Sequence, residues 1–118
     1  MLTVYGIRNC NTMKKAFAWL DEHGVDYAFH DYKKQGLDRD RVEQWLDQAG
    51  WESLINKRGM TWRRLAAETR DNMDRETAIE VMLDNPSIIR RPLIEREDGE
   101  IMLGFDQDRY QETLGQPS

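Results

Sequence analysis

The chain has 118 residues, 39% hydrophobic and 33% charged, and its 17 basic against 22 acidic side chains give a net charge of -5. This composition excludes collagen-like, coiled-coil and largely disordered chains, and the negative charge disfavours non-specific binding to nucleic acid. No apolar run approaches the roughly 20 residues that cross a bilayer, and the first residues lack the pattern of a signal peptide. We therefore expect one cytoplasmic domain over residues 1–118, a monomer that binds neither nucleic acid nor a membrane.

Cysteine usage narrows the possible chemistry further. Cys10 is the only cysteine, so the chain cannot form an internal disulfide, which fits a reducing cytosol. With a single thiol, His23 and His30 make a poor ligand set, and we predict no metal site. Cys10 is therefore the only strong nucleophile that the sequence offers.

The first third of the chain is predicted to be a βαβ unit. Residues 2–5 and 25–32 are β-prone runs, and residues 11–23 between them have helical periodicity. Asn11 or Thr12 is the expected N-cap of this helix. Its apolar stripe is predicted to consist of Met13, Ala16, Phe17 and Leu20. A strand, a helix and a strand within some thirty residues favour parallel pairing.

Helical segments are predicted to fill an insertion at about residues 37–85, after a turn at residues 33–36. These segments are a helix capped by Asp38 and ended by Gly50, a brief helix Trp62–Ala67 capped by Thr61, and a helix between Asp74 and Asn85. The insertion therefore separates the βαβ unit from the C-terminal part of the chain.

The C-terminal part is predicted to be a ββα unit. Residues 88–95 and 100–103 are β-prone, and the Asp98-Gly99 pair between them is a strong hairpin signal. Asp106 is the expected cap of a last helix that ends at Leu114, and the tail is expected to fray. The order of elements predicts an α/β domain with a mixed sheet and a helical insertion.

The position of Cys10 favours a reactive thiol. It lies where the first strand's loop meets the N-terminus of the first helix, so unpaired N–H groups and the helix dipole favour the thiolate. Arg8, Lys14 and Lys15 add positive charge nearby. The alternative is a small buried hydrophobe, the commonest role of a lone cysteine. That role predicts a helix face or strand interior, whereas Cys10 lies in a polar loop.

A second candidate is Arg91, which precedes Pro92 at the start of a predicted strand. A proline there indicates an edge strand, a bulge or a cis peptide bond. In a βαβ…ββα arrangement this segment can run beside the Cys10 loop, so Arg91 can face the thiol and hold an anionic group by two hydrogen bonds. Alternatively, Arg90 and Arg91 are solvated charges at a strand end, and the sequence does not decide between these two interpretations.

Basic residues are concentrated in the later part of the chain. Residues 55–92 contain 8 basic and 6 acidic residues, and the insertion contributes Arg58, Arg63, Arg64 and Arg70. Any of these four can face the site, but for Arg63 and Arg64 we favour an exposed helix with mixed charge.

Two segments together resemble the arsenate reductase (ArsC/Spx) family, most closely its YffB-like branch, and the resemblance covers essentially the whole chain. They are Tyr5-Gly6-Ile7-x-Asn9-Cys10-x-Thr12 and Ile89-x-Arg91-Pro92. The resemblance implies a thioredoxin-like fold with a helical insertion and a nucleophilic Cys10. It also implies that Arg91, before a cis Pro92, meets the thiolate or a substrate oxyanion.

The sequence also departs from other branches of this family. The Spx branch carries a second cysteine where Met13 stands, so a two-cysteine switch is impossible here. Glutaredoxin-coupled arsenate reductases carry arginines that align with Lys14, Asn56 and Phe105, and a serine at Met13, although Arg58 is close enough to replace the arginine at Asn56. Losing oxyanion donors is expected to weaken arsenate reduction.

The resemblance and these departures together favour a glutathione-dependent thiol reductase in which Cys10 forms a mixed disulfide with glutathione. A second glutathione or a glutaredoxin would regenerate the thiol. We predict Cys10 and Arg91 as catalytic residues, and as glutathione-binding residues Asn11, Thr12, Lys14, Arg58, Arg91 and Pro92. The alternatives are a glutathione/glutaredoxin-coupled arsenate reductase and a non-catalytic Spx-like module that binds a protein such as RNA polymerase.

Overall fold

The computed structural model describes residues 1–115, so most of the predicted fraying tail lies outside the described residues. In chain order the elements are β1 (Leu2–Gly6), α1 (Asn11–Glu22), β2 (Tyr27–Asp31), α2 (Tyr32–Gln35), α3 (Arg39–Ala49), α4 (Trp51–Leu54), α5 (Met60–Arg64), α6 (Ala67–Asp71), α7 (Arg75–Asp84), a 3₁₀ turn (Pro86–Ile88), β3 (Leu93–Glu95), β4 (Ile101–Leu103) and α8 (Gln107–Leu114).

These elements form two compact units. The first contains residues 1–31 and the chain from residue 91 onward, and the second contains residues 32–90. The second unit includes the predicted insertion at 37–85, with α2 before it and the segment 86–90 after it. A single domain over residues 1–118 stays a prediction.

The first unit is built on a four-stranded sheet in the order β2-β1-β3-β4. Strand β1 runs parallel to β2, with Leu2 opposite Tyr27, and antiparallel to β3, with Tyr5 opposite Leu93. Strands β3 and β4 form the predicted antiparallel hairpin, in which Leu93 faces Leu103. The predicted α/β fold with a mixed sheet is confirmed.

Helices α1 and α8 contribute to one hydrophobic core with the sheet. This core consists of Val4, Met13, Ala16, Trp19, Leu20, Ile94, Met102 and Tyr110. Three of the four predicted stripe residues of α1 belong to it, but Phe17 is only half-buried. Phe17 packs against this core from its half-buried position and also contacts the rings of Tyr27 and Phe29 on β2. Trp19 takes an inward position between His23 and Tyr110.

Two predicted strands are shorter in the structure. Strand β2 spans Tyr27–Asp31 rather than residues 25–32, since Val25 is still in the turn after α1. Strand β3 begins at Leu93 rather than at residue 88, because a 3₁₀ turn covers Pro86–Ile88 and Pro92 has no N–H for the ladder. The hairpin turn contains Gly99 with a φ of 89°, as the Asp-Gly pair predicts.

The insertion has more helices than predicted, and one of them begins earlier. The predicted helix Trp62–Ala67 is wrong in its bounds, because α5 spans Met60–Arg64 and its N-cap is Gly59. Thr61 is therefore not a cap: its hydroxyl lies 3.1 Å from the hydroxyl of Ser87. The turn predicted at residues 33–36 is largely the short helix α2.

In the second unit, α3 and α7 bury apolar faces and exchange ion pairs at the surface. Arg39 donates to Glu76 at 2.6 Å, and Arg75 lies 2.9 Å from Asp47. The buried residues are Val42, Trp45 and Leu46 on α3, and Ala78, Ile79, Val81 and Met82 on α7. Across residues 1–115, no helix is both long and apolar enough to span a membrane.

Candidate active site

Cys10 occupies the junction between the loop after β1 and helix α1. It is itself the N-cap of α1, with extended backbone angles (φ -149°, ψ 129°). The prediction that Asn11 or Thr12 caps the helix is therefore wrong: both lie inside the first turn, because the backbone N–H of Lys14 already donates to the Cys10 carbonyl at 3.0 Å. Cys10 is half-buried and packs against the core of the first unit.

The first turn of α1 presents donors to the space around Cys10. The side chain of Cys10 makes no capping hydrogen bond, and its own N–H donates to the Arg8 carbonyl at 3.2 Å. The N–H groups of Asn11 and Thr12 lie in the first turn, where the helix supplies no acceptor. These donors and the positive end of the helix dipole favour an anion at this position.

The second part of the site is the peptide bond between Arg91 and Pro92, which is cis. Pro92 is buried and its carbonyl accepts from the N–H of Gly104 at 2.9 Å, whereas Arg91 is half-buried. Because Tyr5 pairs with Leu93 in the sheet, the next step of the same register brings Pro92 alongside Gly6. The sheet therefore holds the Arg91–Pro92 bond at the end of β1 from which the Cys10 loop departs.

Gly6 brings the two parts of the site together. An ideal Cβ built on Gly6 would lie 2.6 Å from Sδ of Met13 and 3.7 Å from Cγ of Arg91. Met13 stands one helical turn after Cys10, so a residue of the Cys10 helix and Arg91 approach the same point of β1. In the sequence Gly6 is recognisable as part of the motif around Cys10, and a glycine directly before a nucleophile loop is the available signal for a close approach.

The basic residues near Cys10 differ in their environments. Lys14 and Lys15 are exposed on α1, as are Asn11 and, in part, Thr12. The guanidinium of Arg8 lies 5.1 Å from the centroid of the Phe29 ring. Arg8 is thus directed to β2, and Lys14 and Lys15 are the exposed lysines of the helix that Cys10 begins.

The substitutions relative to other family branches have structural roles. Met13 is fully buried, so the position of the second Spx cysteine belongs to the core. Phe105 is half-buried, and its ring meets Tyr110 edge to face with centroids 5.0 Å apart. Asn56 holds a turn, since its Oδ1 accepts from the N–H of Arg58 at 3.0 Å.

Six of the seven predicted site residues belong to the first unit: Cys10, Asn11, Thr12, Lys14, Arg91 and Pro92. Arg58 belongs to the second unit, where its side chain is exposed after the Asn56 turn. A role for Arg58 in the site stays a prediction.

The sheet order β2-β1-β3-β4, the βαβ and ββα halves, and a cis-proline at the end of β1 from which the Cys10 loop departs define a thioredoxin-like fold. The sequence matches the ArsC family over residues 5–113, and the chain belongs to that family.

Three relatives show the range of this family. A protein of Haemophilus influenzae is 44% identical over 111 residues, covering 94% of this chain and 96% of its own length. The solved structure of a YffB protein is 43% identical, with a TM-score of 0.92, and the match covers 98% of this chain and 100% of that one. The global transcriptional regulator Spx of Staphylococcus epidermidis is 28% identical over 116 residues, covering 97% of this chain and 87% of its own.

Proposed function

We propose that this chain is a glutathione-dependent thiol reductase whose nucleophile is Cys10. The observation that carries the proposal is the position of Cys10, which follows the loop after β1 and is the N-cap residue of α1, with a side chain that makes no capping hydrogen bond. The cis Arg91–Pro92 bond lies at the same end of β1. Membership of the ArsC family supports a thiol-based reaction.

The proposed reaction has two balanced exchanges. In the first, the Cys10 thiolate attacks the glutathione sulfur of a glutathione mixed disulfide, forms a Cys10–glutathione disulfide, and releases the substrate as a thiolate. In the second, the thiolate of another glutathione attacks that disulfide, so that oxidised glutathione leaves and the Cys10 thiolate is restored. Overall, the mixed disulfide of the substrate is reduced to a thiol, one free glutathione is consumed, and oxidised glutathione is released with one half derived from the substrate.

The residues around Cys10 supply complementary groups for glutathione. Arg91 and Lys14 would bind carboxylates of the tripeptide, and the first-turn N–H groups of Asn11 and Thr12 would face the negative charge near the sulfur. The backbone before Pro92 would pair with glutathione as a short strand.

Regeneration requires an external thiol, because the chain has one cysteine. Met13, at the position of a resolving cysteine in Spx, is fully buried. A second glutathione or a glutaredoxin would therefore complete the cycle.

The test follows reduction of a glutathionylated peptide by the purified chain in the presence of glutathione. The wild-type chain should turn over and, with oxidised glutathione, acquire one glutathione seen by intact mass spectrometry. Cys10→Ser should do neither, and turnover by Cys10→Ser would refute the mechanism. Lys14→Ala should raise the KM for glutathione, whereas Lys15→Ala, an equal change of charge on the next exposed lysine, should not.

The likeness to Spx favours one second candidate, a non-catalytic module that binds a partner protein. It predicts no adduct and no turnover from the wild-type chain. An arsenate assay with glutathione and glutaredoxin, run beside the peptide assay, distinguishes the remaining alternative: arsenate reduction without peptide reduction would replace our proposal with an arsenate reductase.

A further inference from the structure

The segment from Lys57 to Arg70 has a charge opposite to that of the chain as a whole. It contains five basic residues and one acidic residue, which give it a net charge of +4. Because the whole chain has a net charge of -5, the remaining residues together carry -9. None of the proposed chemistry at Cys10 uses the C-terminal part of this segment. Its cations therefore need a separate explanation.

Helix α5 places part of this charge on one exposed face. Met60, Arg63 and Arg64 are spaced three and four residues apart and share a side of the helix. All three are exposed, and Met60 is 62% exposed, a large fraction for an apolar side chain away from the terminus. We call these three residues the α5 face.

The other side of α5 is held by contacts within the second unit. The Thr61 hydroxyl lies 3.1 Å from that of Ser87. The ammonium of Lys57 lies 4.9 Å from the ring centroid of Trp51 and 5.7 Å from that of Trp62. These contacts fix which side of α5 faces solvent.

Arg63 and Arg64 have no acidic partner among residues 1–115. Elsewhere in the same unit the arginines Arg39 and Arg75 form ion pairs with the carboxylates of Glu76 and Asp47. Two exposed guanidinium groups without a carboxylate leave a local positive charge, which an anionic ligand would neutralise.

We propose that the α5 face is a docking surface for a short acidic segment of a partner protein. Arg63 and Arg64 would pair with carboxylates, and Met60 would contact an apolar side chain of the same segment. A helix of five residues is about 7.5 Å long, which fits a few side chains and not an extended polyanion. The charge of -9 on the rest of the chain would repel nucleic acid or an anionic membrane beyond that small area.

The test measures fluorescence anisotropy of a labelled peptide in which glutamates flank a central leucine. The double variant Arg63→Glu/Arg64→Glu should bind it at least about tenfold more weakly than wild type, with a smaller dependence on salt. Lys34→Glu/Arg109→Glu, which makes the same change of net charge at exposed residues outside the face, should bind like wild type. Met60→Ser should weaken binding with little change in the salt dependence.

Equal binding of the peptide by wild type and by the Arg63/Arg64 variant would overturn the proposal. So would tighter binding of a single-stranded oligonucleotide or of anionic lipid vesicles than of the peptide. A chain that binds no peptide and self-associates through this face in sedimentation experiments would also overturn it. Far-UV circular dichroism and the Cys10 exchange assay establish that the variants are folded. Peptide binding and turnover at Cys10 are independent readouts, so failure of one leaves the other intact.

Discussion

The side chain of Met13 fills the space that a side chain on Gly6 would need. A Cβ at residue 6 would lie 2.6 Å from Sδ and 2.7 Å from Cε of Met13, and Met13 is fully buried. The Met13 side chain, which extends from the first turn of α1, thus packs directly against the backbone of β1 at Gly6. Through this contact the end of β1 helps to set the position of the helix that begins at Cys10.

Gly6→Ala should therefore destabilise the chain by about 1–3 kcal/mol, the usual range for an extra methyl group in a packed core. Urea unfolding followed by circular dichroism measures this. Gly36→Ala is the control variant. Its strain comes from a backbone φ of 68°, because a Cβ added there would meet no atom within 4 Å, and it should leave the reactivity of Cys10 unchanged. If Gly6→Ala were as stable and as active as wild type, the close approach at Met13 would have no role in the site.

Arg91 should contribute more than charge. Arg91→Ala is expected to lower turnover of a glutathionylated peptide by about 10²–10³, as for the loss of one donor to a developing anion. Arg91→Lys should recover only part of this, since an ammonium cannot donate two parallel hydrogen bonds to a carboxylate. Steady-state kinetics on wild type, Arg91→Ala and Arg91→Lys separate the effects on kcat and KM. Wild-type turnover by Arg91→Lys would contradict a role that requires two parallel hydrogen bonds from Arg91.

Tyr110 should make the stability of the chain depend on pH in alkali. Burial raises the pKa of its phenol above the ordinary value, opposed in part by Arg109. The unfolded tyrosine loses its proton near pH ~10 while the folded one keeps it, so stability is present below that pH and falls as the pH rises above it.

Tyr110→Phe isolates this effect. At neutral pH it should cost about 0.5–1.5 kcal/mol, because the hydroxyl donates to the Gly104 carbonyl at 2.7 Å. Between pH 8 and 11 the variant should lose less stability than wild type, measured by urea unfolding at each pH. An identical loss in both chains would show that the titration of Tyr110 is not responsible.

Asn56 should stabilise its turn through one acceptor atom. Asn56→Ala removes the oxygen that accepts from the N–H of Arg58 and should cost about 0.5–1.5 kcal/mol, whereas Asn56→Asp keeps an acceptor and should cost less. Asn56→Arg, which introduces the arginine of arsenate reductases, should behave like alanine in stability. Thermal unfolding of the three variants orders them, and a more stable alanine variant would contradict the role of the turn.

The sequence predicted the order of elements and the mixed sheet because hydrophobic periodicity, caps such as Asp74 and Asp106, and the Asp98-Gly99 turn are local signals. It missed the start of α5 because Thr61 has the side chain of a cap, and only the tertiary contact with Ser87 shows where its hydroxyl is used.

In the candidate site, too, local features could be predicted from the sequence and tertiary contacts could not. The motifs around Cys10 and Pro92 were visible in the sequence, since each is a short run of residues. The approach of Met13 and Arg91 at Gly6 was not, because it depends on the register between β1 and β3 and on the packing of α1.

The N-cap of α1 shows a conflict between the stability of the helix and its chemistry. Serine, threonine, aspartate and asparagine are the favoured caps because their oxygens satisfy the first-turn donors, whereas Cys10 makes no such bond. Serine at this position would restore a capping acceptor and should stabilise the chain by up to about 1 kcal/mol while abolishing exchange. The first-turn donors that the sulfur does not satisfy can be satisfied by an anionic group of a bound substrate. The substrate would then cap the helix that carries the nucleophile.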